Sequence, residues 1–215
     1  MLGLSFSKLI TRIITLIISF SVHEFAHAWT AYRFGDSTAK NQGRLTLNPL
    51  VHLDLFGSLL LLVAGFGWAK PVPVNPYTLN QHSKSAYMWV SVAGPLSNLL
   101  LAILAAIPIR LGLIQFQVST SKFLPTPFGF TVEFIVINLA LLLFNLIPLS
   151  PLDGEKVLDY FLPMEWQEGW QKIKQYGPVL LIILIFVLPM IGVDIISKVL
   201  TPALSGLLSL LIGKG

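Results

Sequence analysis

Four apolar runs, Leu4 to Phe34, Tyr87 to about Ile109, Phe128 to Ile147 and Tyr176 to Ile191, leave this chain one solvent in which to fold. A run of about 20 such residues crosses the hydrocarbon core of a bilayer, where every backbone polar group must be paired inside the protein. The 215 residues are 54% hydrophobic and only 11% charged, against roughly 25% charged in a soluble domain. The expected fold class is therefore an all-α integral membrane protein, a polytopic helical bundle with short membrane-associated β segments. One domain over 1–215 is expected, with its core at about 5–159 and a C-terminal span and amphipathic helix at about 176–212. That length leaves no room for a separate soluble module. The net charge of +4 comes from few residues placed between the apolar runs. It speaks to membrane orientation and excludes nucleic acid as a partner.

The first run carries ionisable residues where they are expensive: Ser21-Val22-His23-Glu24-Phe25-Ala26-His27. Residues four apart share a helix face, so His23 and His27 can aim one imidazole nitrogen each at a common point. Glu24 projects beside that point, where a general base for metal-activated water belongs. With no cysteine in the chain, any metal must be held by nitrogen and oxygen. The run is broken by Gly35-Asp36, which puts His23 roughly 10 to 17 Å below the end of its helix. A cleavable signal peptide is not expected, because no small-residue cleavage site precedes the histidines.

Gly43-Arg44-Leu45-Thr46-Leu47-Asn48-Pro49 reads as a strand with a turn after it, and Lys70-Pro71-Val72-Pro73-Val74-Asn75-Pro76 as an edge strand or extended segment. Leu55 to Phe66 is too short for an ordinary span and reads as a re-entrant helix. In the second long run, Gly94 and Ser97 permit close helix approach, while Asn98 must find a partner. After the third run, Pro148 and Pro151 break the helix, so irregular backbone presents Asp153. On local sequence alone, Asp153 reads better as the cap of the helix that follows. Residues 155–175 read as an interfacial segment with Trp166 and Trp170 at headgroup level. His82 reads as a surface loop residue, and Glu133 and Arg110 are candidates for a pair across a membrane surface.

His23-Glu24-x-x-His27, taken with Asn145-x-x-Pro148-x-x-Pro151-x-Asp153-Gly154, resembles the site-2 protease family of intramembrane zinc metalloproteases. The likeness is to its short prokaryotic members without a PDZ domain. It extends to Gly43 through Pro49, His52-Leu53-Asp54, Lys70 through Asn75 and Ala93-Gly94-Pro95-x-x-Asn98, covering about Ser5 to Asp159. Ser150 departs from the pattern, since relatives often carry another proline there. The resemblance implies one Zn2+ per chain held by His23, His27 and Asp153, with Glu24 as base. It also implies that Asn145 orients substrate or stabilises the oxyanion. His52, Asp54 and Asn98 are candidates for a place beside the metal or in the substrate pocket, and equally for ordinary backbone or interhelical bonding.

On this reading the partners are transmembrane protein substrates and the lipid bilayer, with oligomeric state undetermined. One strand-like segment is expected to pair with the unwound substrate by edge addition. Arg33, Lys40, Arg44, Lys70, Lys84, Lys156, Lys172 and Lys174 flank the zinc end, against Arg110 and Lys122 opposite. The expected location is a prokaryotic cytoplasmic membrane with the zinc end toward the cytoplasm. The competing reading is a metal-binding membrane scaffold or transporter-like protein without proteolysis.

Overall fold

The computed structural model describes residues 5–54, 57, 68–118, 121 and 123–213. The stretch 55–66, expected to re-enter the membrane, lies outside the described residues except for Gly57. Among the described residues, four helices are long and apolar enough to cross a membrane: α1 (Phe6–Arg33), α4 (Ala86–Arg110), α5 (Pro127–Asn145) and α9 (Ile195–Ile212). Shorter helices lie between them: α2 (Thr38–Asn41), α3 (Pro76–His82), α6 (Asp153–Phe161) and α7 (Met164–Lys174). The last continues through a 66° bend into α8 (Gly177–Met190). Sequence chemistry marks the starts. Ser5 and Thr126 accept from the third residue on and cap α1 and α5, Asn75 caps α3 and Asp194 caps α9. The Ser197 N–H also holds the Asp194 carboxyl below its ordinary range.

Helices α1, α4 and α5 pack on one another, with α9 against α5 and α4. The α4–α5 seam is apolar and tight, built from Ala102, Ala106, Ile135, Leu139 and Leu142. Outside it the bundle is inverted relative to a soluble protein, as lipid requires: Ile14, Ile18, Leu96, Leu100 and Leu104 all face outward. Arg12 Nε donates to Glu133 Oε1 at 2.8 Å, so the partner of Glu133 is on α1. Arg110 instead donates to the carbonyls of Leu210 and Leu211 at the C-terminus of α9. There a cation meets carbonyls that have no following turn to satisfy them.

The expected β segments are absent from the described residues; an isolated bridge between Leu53 and Ala69 is the nearest approach. The reason lies in where the backbone donors go. In 43–49, Asn48 N–H turns back to Thr46 Oγ1, and the Asn48 side chain then caps a single 3-10 turn, Pro49–Val51. In 70–76, Pro71, Pro73 and Pro76 have no N–H, Lys70 gives its own to His52 O, Val72 to Glu24 Oε2 and Asn75 to Asp36 Oδ2. The segment is extended and pinned, and three of its four backbone donors, those of Lys70, Val72 and Asn75, are already engaged.

Asp36, fully buried, holds one end of that pinning. Its Oδ1 accepts from the N–H and hydroxyl of Thr38 and its Oδ2 from Asn75 N–H at 2.6 Å. Arg44 holds the other end by donating to Lys70 O at 2.6 Å. Asp36→Ala leaves buried donors unpaired and is expected to cost about 2 kcal/mol. Thermal unfolding in detergent checks this, and an unchanged midpoint would show the pin to be idle.

Candidate metal centre

The two histidines lie on the buried face of α1 because α4 crosses there with its smallest residue. A Cβ on Gly94 would lie 2.5 Å from Nε2 of His23 and closer still to Nε2 of His27. The helix therefore tolerates only a hydrogen at the point both nitrogens face. Pro95, the next residue, has no N–H to close on Ser91 O four back, which opens the ladder one residue beyond Val90.

Each ring is turned by its other nitrogen. His27 Nδ1 lies 2.7 Å from Val90 O, a carbonyl that can only accept, so Nδ1 carries the proton. His23 Nδ1 lies 2.6 Å from Asn98 Oδ1. The orientation of that amide follows from a chain with a fixed end: Asn138 Nδ2 donates to Phe134 O at 2.9 Å, and Asn98 Nδ2 donates to Asn138 Oδ1 at 3.0 Å. Because Phe134 O can only accept, each amide oxygen faces back toward His23, whose Nδ1 is the donor. Both Nε2 atoms are thus left with lone pairs, and they face each other at 3.0 Å.

Asp153 closes the group from more than a hundred residues away. Its Oδ2 is 3.2 Å from His23 Nε2 and 3.3 Å from His27 Nε2. Asp153 begins α6 without capping it. The preceding turn is compact because Gly154 sits against backbone: a Cβ there would be 2.5 Å from Ile147 O and nearer to Leu146 O. Zinc held tetrahedrally at about 2.0–2.2 Å spaces its ligand atoms by roughly 3.3–3.6 Å. Two imidazole lone pairs and a carboxylate oxygen within 3.3 Å of one another fit such an ion, with a fourth position left for water.

Glu24, buried beside them, has Oε2 fixed by Val72 N–H at 2.7 Å. Asn145 is the last residue of α5, eight residues before Asp153, and its Nδ2 donates to Leu141 O at 2.9 Å. His52 and Asp54 bond backbone: His52 Nε2 to Thr46 O at 2.8 Å, and Asp54 Oδ1 to Gly57 N–H at 2.8 Å. His82 ends α3, edge-on to Phe34. Behind Asp153, buried Glu155 pairs with Lys174 and Lys156, and Asp159 accepts from Lys174 and Trp170. That network ties α6 to the end of α7.

The protein called "Putative zinc metalloprotease YwhC" from Bacillus subtilis is 45% identical over 178 residues, which cover 83% of this chain and 80% of that protein. The chain belongs to the site-2 protease-like zinc metalloproteases. Two proteins called "Putative zinc metalloprotease Rip2" are also similar. The one from Mycolicibacterium smegmatis is 33% identical over 79% of this chain and 64% of its own length. The one from Mycobacterium tuberculosis H37Rv is 32% identical over 78% and 63%. No protein-family profile and no solved structure matches. Zinc is thus the metal of this metalloprotease, and the His23, His27 and Asp153 cluster is the group that fits it.

Sequence reasoning named the residues of the cluster and missed what orients them. Asn138, the Val90 carbonyl and the Val72 N–H were not singled out. Asn138 carried a signal, being a second asparagine in an apolar span; the two backbone groups carried none. Two outcomes follow for the metalloprotease. Gly94→Ala is expected to abolish zinc binding, measured as metal content of the purified protein. Asn98→Ala is expected to weaken zinc by about 10- to 100-fold, as loss of a ligand's orienting partner typically does, measured by competition with a chelator.

Proposed function

We propose that this metalloprotease cuts peptide bonds within or beside transmembrane segments, with His23, His27 and Asp153 as zinc ligands and Glu24 as general base. The observation that carries the reading is the depth of the ligand atoms. They are buried between membrane-length helices, about 9 to 15 Å along α1 from its end at Arg33. A soluble peptide has little reason to reach such a place, whereas a membrane helix that unwinds locally arrives with its carbonyls exposed for attack.

Zinc supplies Lewis acidity there, lowering the pKa of water and polarising the scissile carbonyl. Glu24 takes the proton of the attacking water and delivers it to the leaving amine. Val72 N–H occupies one of its oxygens and fixes its direction, leaving the other for the proton. Asn145 has a second amide hydrogen beyond the one given to Leu141, and that hydrogen is the donor for the developing oxyanion. Such a donor is typically worth about 2.7 to 4 kcal/mol.

The charge distribution supports a cytoplasmic-membrane location with the zinc end inward. Arg33, Lys40, Arg44, Lys70 and Lys84 cluster near that end, while Lys8, Arg12 and Arg110 lie at the other, where Arg12 is offset by Glu133. The extended segment 70–76 serves in this reading as the support of Glu24.

Glu24→Gln in the purified full chain, tested on a membrane-spanning substrate in liposomes, is expected to retain zinc and lose cleavage by at least about 10²-fold. Cleavage at the wild-type rate would overturn Glu24 as the general base, and a zinc-loaded wild type that cuts nothing would favour metal binding without proteolysis. A soluble fragment of the same substrate, cut as fast as the intact one, would overturn the intramembrane reading alone.

A further inference from the structure

The metal centre leaves unexplained the row of hydroxyls beneath it. Ser7, Thr11, Thr15, Ser19, His23 and His27 follow at intervals of four, one turn above another along α1. From Thr11 upward the row is buried, Thr15 and Ser19 completely. Small side chains let helices approach closely, and for that purpose alanines would serve as well.

Two observations go beyond packing. A helical Ser or Thr ordinarily donates to the carbonyl four residues back, as Thr11 does to Ser7 O at 3.0 Å and Ser21 to Ile17 O at 2.6 Å. Thr15 and Ser19 depart from this habit, and neither hydroxyl has a hydrogen-bond partner among the described residues. A buried hydroxyl left so is costly unless water satisfies it. The row also opens, at the end away from the metal, into a cavity of about 700 Å³ lined in part by Ser7, Thr11, Thr126 and Glu133. The Arg12–Glu133 pair beside it is partly exposed and favours a hydrated mouth.

We propose that this row binds a file of water molecules running from the cavity to the His23–Asn98 pair, supplying water to the site from the membrane face opposite Asp153. The spacing suits it. Four residues of helix advance about 6 Å, a gap that two linked waters span through hydrogen bonds of about 2.8 Å. Ser19 is one such step from His23, and Asn98 Nδ2 already leans toward Ser19 O at 3.5 Å. Each peptide bond hydrolysed consumes one water, so a centre enclosed by α4 and by its substrate gains from a second supply. That role rests on the proteolytic reading above; the file itself does not.

The chain has no cysteine, which makes the test clean. Single variants Thr11→Cys, Thr15→Cys and Ser19→Cys are placed in sealed liposomes and exposed to Ag+ from the side of the α1 N-terminus, with bound zinc measured to certify folding. All three are expected to react, while Ile14→Cys and Ile18→Cys, on the outward face, do not. Reaction at position 11 without reaction at 15 and 19 would overturn the file. Thr15→Val and Ser19→Ala, which preserve the packing, are expected to lower kcat several-fold with KM and zinc unchanged. An unaltered kcat in both would overturn the delivery role. A wild type that cuts no membrane substrate, with positions 15 and 19 still reactive, would sink the proteolytic reading and leave the file standing.

Discussion

Three lone pairs brought within 3.3 Å of one another repel unless a cation lies among them, and the architecture around His23, His27 and Asp153 enforces that crowding. The imidazoles cannot relieve it in their neutral form by turning a proton inward. Val90 O holds the Nδ1 proton of one, and the Asn98, Asn138 and Phe134 relay holds that of the other. A cation held among the three relieves that repulsion. Binding zinc therefore stabilises the packing of α1 on α4 and of α6 on both. Gly94 is the steric half of the same design, since any larger residue occupies the space the lone pairs converge on.

The proposed general base is held by a different logic. Glu24 lies on α1 but is oriented from outside the bundle, by a segment whose prolines prevent it from becoming a strand. Alternate prolines at 71 and 73 leave Val72 with an isolated N–H that no neighbouring strand can share, and Glu24 takes it. Asp36 and Arg44 fix the segment's ends. Irregular backbone is tolerated near the membrane because each of these donors meets a buried side chain or carbonyl.

The helical bundle was legible because lipid permits little else; His23 and His27 stood out because imidazoles in an apolar span need a reason, whereas Asp153 became a candidate ligand only through the resemblance. The strand at 43–49 was misread, and of the two readings of 70–76 the extended segment stands and the edge strand does not. Alternating apolar residues signal a strand only if a partner edge exists, and here the donors went to Asp36, Glu24 and His52. Glu133 was matched with Arg110 from sequence, whereas helix packing set it against Arg12, a cation among the apolar residues of the first run. Contacts made by backbone groups, such as Val90 O and Val72 N–H, leave no mark on composition or spacing. They had to be seen.

The four-residue row on α1 shows how one helix serves two ends of the bundle. A step of four residues overshoots a full turn by about 40°, so a row kept strictly at that spacing winds around the helix as it rises. From Ser7 to His27 the drift accumulates to roughly half a turn. At its lower end the row looks toward α5, where Arg12 meets Glu133; at its upper end it looks toward α4 and α6, where Gly94 and Asp153 wait. A row at seven-residue spacing would stay on one neighbour and would bring either the ion pair or the metal ligands to the wrong helix. The polar groups thus follow the boundary between α1 and whichever helix covers it, while Ile14 and Ile18 remain on the outward face.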